Sequence, residues 1–183
     1  SFLVAQNLNL NENNDINKYL YSEESNMHTS FKPMLKSSFS FNIDSFLLSK
    51  DNYSNKNKYL NKLFSNHLFV LSGDDYNVSV SPIVSFSKGI ETEENKSTFV
   101  NTRGYFVQGM LGKKISFSTS FCENQAIFPN YLHSYIKSNN VVPGQGYARD
   151  FKGTGFDYAM SSGHVSYKPN KMFLLQFGHG KHF

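Results

Sequence analysis

The sequence predicts a mainly β fold, built as an antiparallel meander with one or two short helices and a long inserted loop. Apolar and small polar residues alternate over several stretches, which is the period of a strand with two unlike faces. The 18 Phe and 11 Tyr residues, with no Trp, are interleaved with Ser, Asn and Lys, a mixture that suits half-exposed strands. Gly and Pro separate the alternating stretches, as expected for turns.

Residues 1–30 are expected to be an export-signal remnant followed by a flexible leader. The opening "SFLVAQ" is short, apolar and followed by Asn-rich sequence, which fits the end of a signal peptide or else a first strand. A spacing of three to four residues between Ile16, Tyr19 and Leu20 predicts a turn or two of helix in the leader. Residues 31–183 then form the folded domain.

The first half of this domain contains two predicted strands with a helix between them. Phe39, Phe41 and Ile43 alternate with small polar residues and predict a strand, whereas residues 56–65 have helical spacing and lead into an apolar stretch that ends at Leu71. Residues 76–86 alternate most clearly. Pro82 interrupts that strand and therefore indicates a sheet edge or a bulge.

A hairpin follows, with its reversal at Gly112. In its second arm Ile115, Phe117, Thr119 and Phe121 alternate with serines. This predicts one apolar face and one small, water-exposed face.

Residues 122–155 are predicted to be the long, partly structured inserted loop, with a helix over "NYLHSYIKS". Strand alternation resumes at residues 155–167, where Gly163, Val165 and Tyr167 share a face. A turn is expected at Pro169 and Asn170, because Pro fixes φ and Asn tolerates the left-handed conformation. A last strand carries Phe173, Leu175 and Phe177 on one face.

Composition excludes several function classes. The net charge of +4 comes from scattered lysines, and the only arginines are Arg103 and Arg149; nucleic acid is therefore not an expected partner, because nucleic-acid contacts favour Arg. Cys122 is the only cysteine, which leaves neither an intrachain disulfide nor a Cys-based zinc cluster. No apolar run reaches the roughly 18 residues of a spanning helix, although transmembrane β-strands would escape this test.

The residues that could act in catalysis or metal binding do not form a recognisable motif. His179 and His182 are three apart, so on a strand they point to opposite faces, and with His164 they predict no metal site. Glu123, Asp150 and Asp157 could supply a glycosidase pair, but a hydrogen-bonded polar cluster at a strand end is the preferred interpretation. Nothing in the sequence activates Cys122 as a nucleophile beside His133. We therefore expect neither an enzyme nor a cofactor.

Four stretches in the last third of the chain are distinctive together: Glu123-Asn124-Gln125, "VPGQG" at 142–146, "GFDYAMSSGHVSY" at 155–167 and the final "QFGHGKHF". They carry a resemblance to the RemB-type gliding-motility and Wzi-like capsule-assembly outer-membrane proteins of Bacteroidota. It is looser over "NKYLYSEESNMHTSFKP" and "YNVSVSPIVSFSKG". It implies that the strands form part of an outer-membrane β-barrel. In the family further strands follow, and about six strands cannot close a barrel where the smallest have roughly eight, so residues 31–183 are expected to be the N-terminal portion of a longer barrel domain.

The implied function is that of a non-catalytic outer-membrane protein at the cell surface, in gliding motility or in the assembly and retention of capsule or surface polysaccharide. Outer-membrane lipid, surface polysaccharide and other motility or envelope proteins are the implied partners. The candidate polysaccharide ligands are polar and aromatic residues of the inserted loop, expected at the mouth or interior of the barrel: Glu123, Asn124, Gln125, Tyr131, Tyr135, Gln145, Tyr147 and Arg149. Bracing of that loop is their alternative role. The alternative function is a soluble exported β-sandwich that binds glycans or proteins, with its apolar face packed on a second sheet.

Overall fold

The computed structural model describes residues 34–35, 68–170 and 172–180. The leader with its short helix, the strand at 38–43, the helix at 56–65 and His182 lie outside the described residues. Met34 and Leu35 are both buried.

The described part of the chain is mainly β, as predicted, with eight strands and one helix. Beyond the strands expected from alternation it contains β1, β5 and β6, which are short. The elements in chain order are β1 Phe69–Ser72, β2 Tyr76–Glu91, β3 Lys96–Leu111, β4 Ile115–Ile127, α1 Asn130–Asn139, β5 Val141–Val142, β6 Gly146–Phe151, β7 Gly155–Tyr167 and β8 Leu175–His179.

All eight strands belong to one sheet, in the order β1-β2-β3-β4-β7-β6-β5, with β8 paired to β7. The pairs β1–β2, β5–β6, β6–β7 and β7–β8 are antiparallel. β1 pairs with β2 only as far as Val80. Pro82 therefore lies on a stretch of β2 that has no partner on that side among the described residues, which agrees with its expected place at an edge.

The predicted inserted loop is more ordered than expected. β4 continues to Ile127, six residues past the expected end at Phe121, and α1 covers the predicted helical stretch. β5 and β6 then form a small hairpin, and β6 pairs with β7. Much of residues 122–155 thus belongs to the sheet, so their backbone polar groups are satisfied by strand pairing.

Two predicted turns differ in mechanism. Gly112 has φ of 59°, the left-handed conformation expected for a tight reversal. At Asn170 the side chain takes part in the expected turn. Its Oδ1 accepts hydrogen bonds from the backbone N–H groups of Met172 and Phe173, at 2.9 and 3.0 Å, as an Asx turn does.

The sheet has two chemically different faces. Tyr105 contacts Phe121, with ring centroids 5.9 Å apart, so the odd-numbered positions of β3 and β4 share one face, which we call the aromatic face. Ser120 and Ser162 share a hydrogen bond of 2.8 Å, which places the even-numbered positions of β4 and β7 together on the other face, the serine face.

The chain divides into two units, and the first contains Ser1–Val80, Val107–Ser118 and Gly163–Phe183. Here the small side chains are buried: Ser116 is only 1% exposed, and Ser79 and Ser166 are also buried. On the aromatic face Val165 pairs with Phe177, whose side chain is 85% exposed. The expectation that the serine face is exposed to water is therefore wrong at Ser116.

The second unit contains Ser81–Phe106 and Thr119–Ser162. Its core lies on the serine face, where α1 packs through Ile136. The cluster consists of Ala126, Ile136, Val142, Ala148, Phe156 and Tyr158, with Val100, Phe128 and Leu132 packed against it. Phe86, on the aromatic face, is 66% exposed and stacks on Phe99. In this unit too, apolar side chains remain exposed on the aromatic face.

Side chains of the β2–β3 hairpin hold the start of α1. Pro129 at the N-cap position has no side chain that can cap the helix, and the first turn contains no acidic residue. Glu91 takes that role, since its Oε1 accepts a hydrogen bond of 2.9 Å from the Asn130 backbone N–H. Lys96 donates to Asn130 Oδ1, also at 2.9 Å. A carboxylate at this end of a helix also interacts favourably with the helix dipole.

The substitution Gly104→Ala is expected to destabilise the protein by about 1–3 kcal/mol, the usual cost of forced overpacking. A Cβ on Gly104 would overlap the carbonyl oxygen of Phe121, and a backbone atom cannot rotate away. Gly89→Ala is the control, because its Cβ would meet only the Thr98 hydroxyl at 2.9 Å, which can move. Urea unfolding of the two variants checks this; equal stability would contradict it.

Candidate functional site

An open depression of about 500 Å³ with a polar and charged lining lies in the second unit. Four neighbouring strands contribute to it: β3, β4, β7 and β6. Its lining residues are Arg103, Glu123, Asn124, Gln125, Tyr147, Arg149, Asp157, Tyr158 and Ala159. Both arginines of the chain therefore lie in one depression, together with two carboxylates.

The charged side chains of the depression are on the aromatic face, opposite the core that holds α1. Arg103 Nε donates to Glu123 Oε2 at 3.2 Å across β3 and β4, and both side chains are exposed. Tyr105 and Phe121 lie two residues further along the same two strands, so they point the same way. The exposed ion pair contributes at most about 1 kcal/mol to folding, so its positions are not explained by stability.

Arg149 and Asp157 form the second charged pair of positions. They are direct Cα partners in the β6–β7 ladder, so their side chains leave the same face as neighbours. Among the described residues neither side chain makes a hydrogen bond or an ion pair, and Asp157 Oδ1 is buried without a hydrogen-bond partner. An unsatisfied buried carboxylate oxygen is costly, which marks this position as unusual.

The Asn124 side chain connects neighbouring strands of the sheet. It is buried, and its Oδ1 accepts a hydrogen bond of 2.7 Å from the Thr102 hydroxyl, while its Nδ2 donates to the Tyr158 carbonyl at 3.4 Å. These bonds tie β3, β4 and β7 together on the serine face. The bracing role considered in the sequence analysis therefore fits Asn124.

The structure brings five of the eight predicted ligand residues to the depression and separates the other three. Glu123, Asn124, Gln125, Tyr147 and Arg149 line it. Tyr131 and Tyr135 do not, because they lie on the exposed side of α1, where Tyr131 is 77% exposed. Gln145 is exposed in the β5–β6 turn, where its backbone N–H donates to Val142 O at 3.0 Å.

Four lining residues were not among the predicted ligands: Arg103, Asp157, Tyr158 and Ala159. The sequence marks Arg103 only as one of its two arginines and Asp157 only as a candidate carboxylate. Their proximity depends on the pairing of β4 with β7 across the intervening helix and hairpin. Alternation within a strand does not indicate that pairing.

The other candidate catalytic or metal-binding residues lie apart from the depression. Asp150 forms a 2.6 Å ion pair with Lys137 of α1, so it does not pair with Glu123 as a second carboxylate. His164 pairs with Gly178, and His179 with Gly163, which places these two histidines on opposite faces of the sheet. No group of three metal-binding side chains occurs among the described residues.

No helix in the described part of the chain has both the length and the apolar character needed to cross a membrane. Comparisons with protein-family models, with curated proteins and with solved structures found no match.

Proposed function

We propose that this chain is part of a non-catalytic outer-membrane β-barrel that acts at the cell surface, in gliding motility or in the assembly and retention of surface polysaccharide. The observation that carries the membrane part of this proposal is the reversal of the usual burial pattern. Apolar residues such as Phe86 and Phe177 are exposed on the aromatic face, whereas Ser116 and Ser166 are buried on the serine face. Strands that face lipid on one side and a polar interior on the other have this pattern.

The same observation favours the barrel over the soluble β-sandwich. A sandwich packs its apolar face against a second sheet, but the aromatic face has no such cover among the described residues, whose strands all belong to one sheet. Strand length also agrees, because β2 and β3 have 16 residues each, enough for the roughly 9–11 residues of a membrane crossing and an extension beyond it.

Under this proposal the serine face, with α1 and its core, faces the interior. The depression then lies on the outward wall of the barrel, and not on an inward-folded loop or at its mouth, where these residues were expected. The stretch from Arg103 to the end of β3 at Leu111 contains nine residues, so one membrane crossing counted from that end stops close to Arg103.

The surface role rests on the family resemblance, and two tyrosines of α1 support contact with polysaccharide. Tyr131 and Tyr135 are both exposed and lie four residues apart, on one side of the helix. Exposed aromatic rings combine an apolar body with a polar group and can stack on sugar rings. A strain whose protein has both tyrosines replaced by Ala should retain less surface polysaccharide or glide more slowly than one carrying Lys137→Gln, while assembling equal amounts of protein.

Membrane extraction tests the proposal as a whole. We expect the full-length protein to sediment with the envelope, to resist extraction at high pH and to become monodisperse only in detergent. A protein that is released into plain buffer and stays monodisperse there would favour the β-sandwich. An enzyme would replace the non-catalytic proposal if Glu123→Gln or Asp157→Asn abolished turnover of a polysaccharide by the full-length protein.

A further inference from the structure

The depression offers two complementary charges that the fold leaves unused. Arg103 is engaged by Glu123, but Arg149 is exposed and has no ion pair among the described residues. The Asp157 carboxylate on the adjacent strand has a buried oxygen without a hydrogen-bond partner. A ligand that suits both positions carries an anion for Arg149 and, a few atoms away, a cationic donor for Asp157.

The presence of arginine, and not lysine, indicates which anionic groups the depression would bind. The chain contains 18 Lys and Arg residues in all but only two arginines, and both line this depression. The planar guanidinium binds carboxylate and phosphate through two parallel hydrogen bonds, which an ammonium cannot do. A phosphate or carboxylate is therefore the favoured anionic group.

The position of the depression indicates which molecule would supply this anionic group. Its charged residues are on the aromatic face, next to the contacting rings of Tyr105 and Phe121, and Tyr147 lines it from β6. Tyrosine and other amphipathic aromatic residues collect where a membrane protein passes through the headgroup layer. On a face that contacts lipid, the anion nearest to such a belt is the headgroup phosphate.

We propose that the depression binds the headgroup of a phosphoethanolamine-type phospholipid, with the phosphate on Arg149 and the ammonium group at Asp157. This inference rests on the proposed function, since it requires the aromatic face to meet lipid. The two carboxylates make the depression electrically balanced with the two arginines, so a zwitterionic headgroup fits it better than a purely anionic one. Glu123 keeps Arg103 in place beside the site.

The test is lipid retention by the detergent-purified full-length protein, measured by native mass spectrometry after incubation with phosphatidylethanolamine, phosphatidylcholine or phosphatidylglycerol. The wild type should retain phosphatidylethanolamine best, because phosphatidylcholine has no N–H donor and phosphatidylglycerol has no cation. Arg149→Gln and Asp157→Asn should each reduce that retention about tenfold, the usual effect of losing one charge-assisted hydrogen bond.

Lys137→Gln is the matched control, because it removes one positive charge from α1, on the other face, and should leave retention unchanged. Equal retention of the three lipids, or no effect of Arg149→Gln, would overturn the inference. So would displacement of the lipid signal by an oligosaccharide of uronic acids at Arg149, since the site would then bind an acidic glycan. A protein that enters vesicles without this lipid preference refutes only the headgroup site, whereas one that never enters vesicles refutes the proposed function.

Discussion

Ile136→Ala is expected to remove about 2–5 kcal/mol of stability from the packing of α1 on the sheet. Ile136 is 0% exposed and belongs to the buried cluster of the second unit. Its truncation would leave a cavity among side chains from β4, β6 and β7. Because hydrogen bonds hold the backbones of these strands in place, the cavity can close only partly. The local effect is measurable by hydrogen exchange, where α1 amides should exchange at least about thirtyfold faster.

Tyr131→Ala is the control for this prediction, because it removes a larger side chain from the same helix at an exposed position. Its effect on amide exchange should be small. If the two variants exchanged alike, Ile136 would not be the anchor of α1, and the assignment of the core to the serine face would fail.

Phe177→Lys is expected to cost about 1–4 kcal/mol for the protein folded in lipid vesicles, with the value set by the depth of the residue in the bilayer. Phe177 is one of the most exposed aromatic residues of the described strands, so in water its replacement would change stability by about 0.5 kcal/mol or less. The stability cost of this substitution therefore shows whether lipid or water surrounds the Phe177 side chain. A large cost at an exposed position arises only if hydrocarbon surrounds that position.

Urea unfolding of the protein in vesicles provides the measurement, with Tyr131→Lys as the matched control. Tyr131 is also highly exposed, at 77% against 85% for Phe177, but it belongs to α1, on the serine side, where the proposal places water. Both lysine variants should behave alike in a soluble β-sandwich. Equal and small costs would contradict contact of the aromatic face with lipid.

The fold class was predictable because long strands with a two-residue period leave a clear signal. The alternation along β2, β4 and β7 and the reversal at Gly112 located most of the large strands. β5 and β6 gave no such signal. Two residues of β5 cannot show a period, and the Gly and Pro residues around β6 indicate a loop. Strand pairing decides instead, because β6 pairs with β7 and β5 pairs with β6.

The direction of each face was harder to predict than its composition. Alternation predicted an apolar and a small-residue face in β4, but it does not say which of the two is buried. In the second unit the serine face is the buried one, because Ile136 of α1 packs on the face of Ala126 and Phe156. The polar residues at Glu123 and Gln125 then fell on the side of Phe121, away from the helix.

The site was half predictable for a related reason. Glu123, Gln125, Tyr147 and Arg149 were selected for their chemistry within one segment, and they do lie together. Tyr131 and Tyr135 were selected on the same grounds, but helix geometry turns them away. Arg103 lies 20 residues from Glu123 in sequence, and only the antiparallel pairing of β3 with β4 brings its guanidinium to the depression.

The most direct test of lipid contact uses tryptophan as a reporter, because residues 1–183 contain none; any tryptophan elsewhere in the full-length protein would first be replaced by Phe. Phe177→Trp places the probe on the aromatic face, and Tyr131→Trp places it on the exposed side of α1. Each variant would be reconstituted in vesicles with and without phospholipids brominated on their acyl chains, which quench tryptophan only on contact with hydrocarbon. The proposed barrel predicts strong quenching at position 177 and almost none at position 131. Unquenched fluorescence at both positions would contradict it.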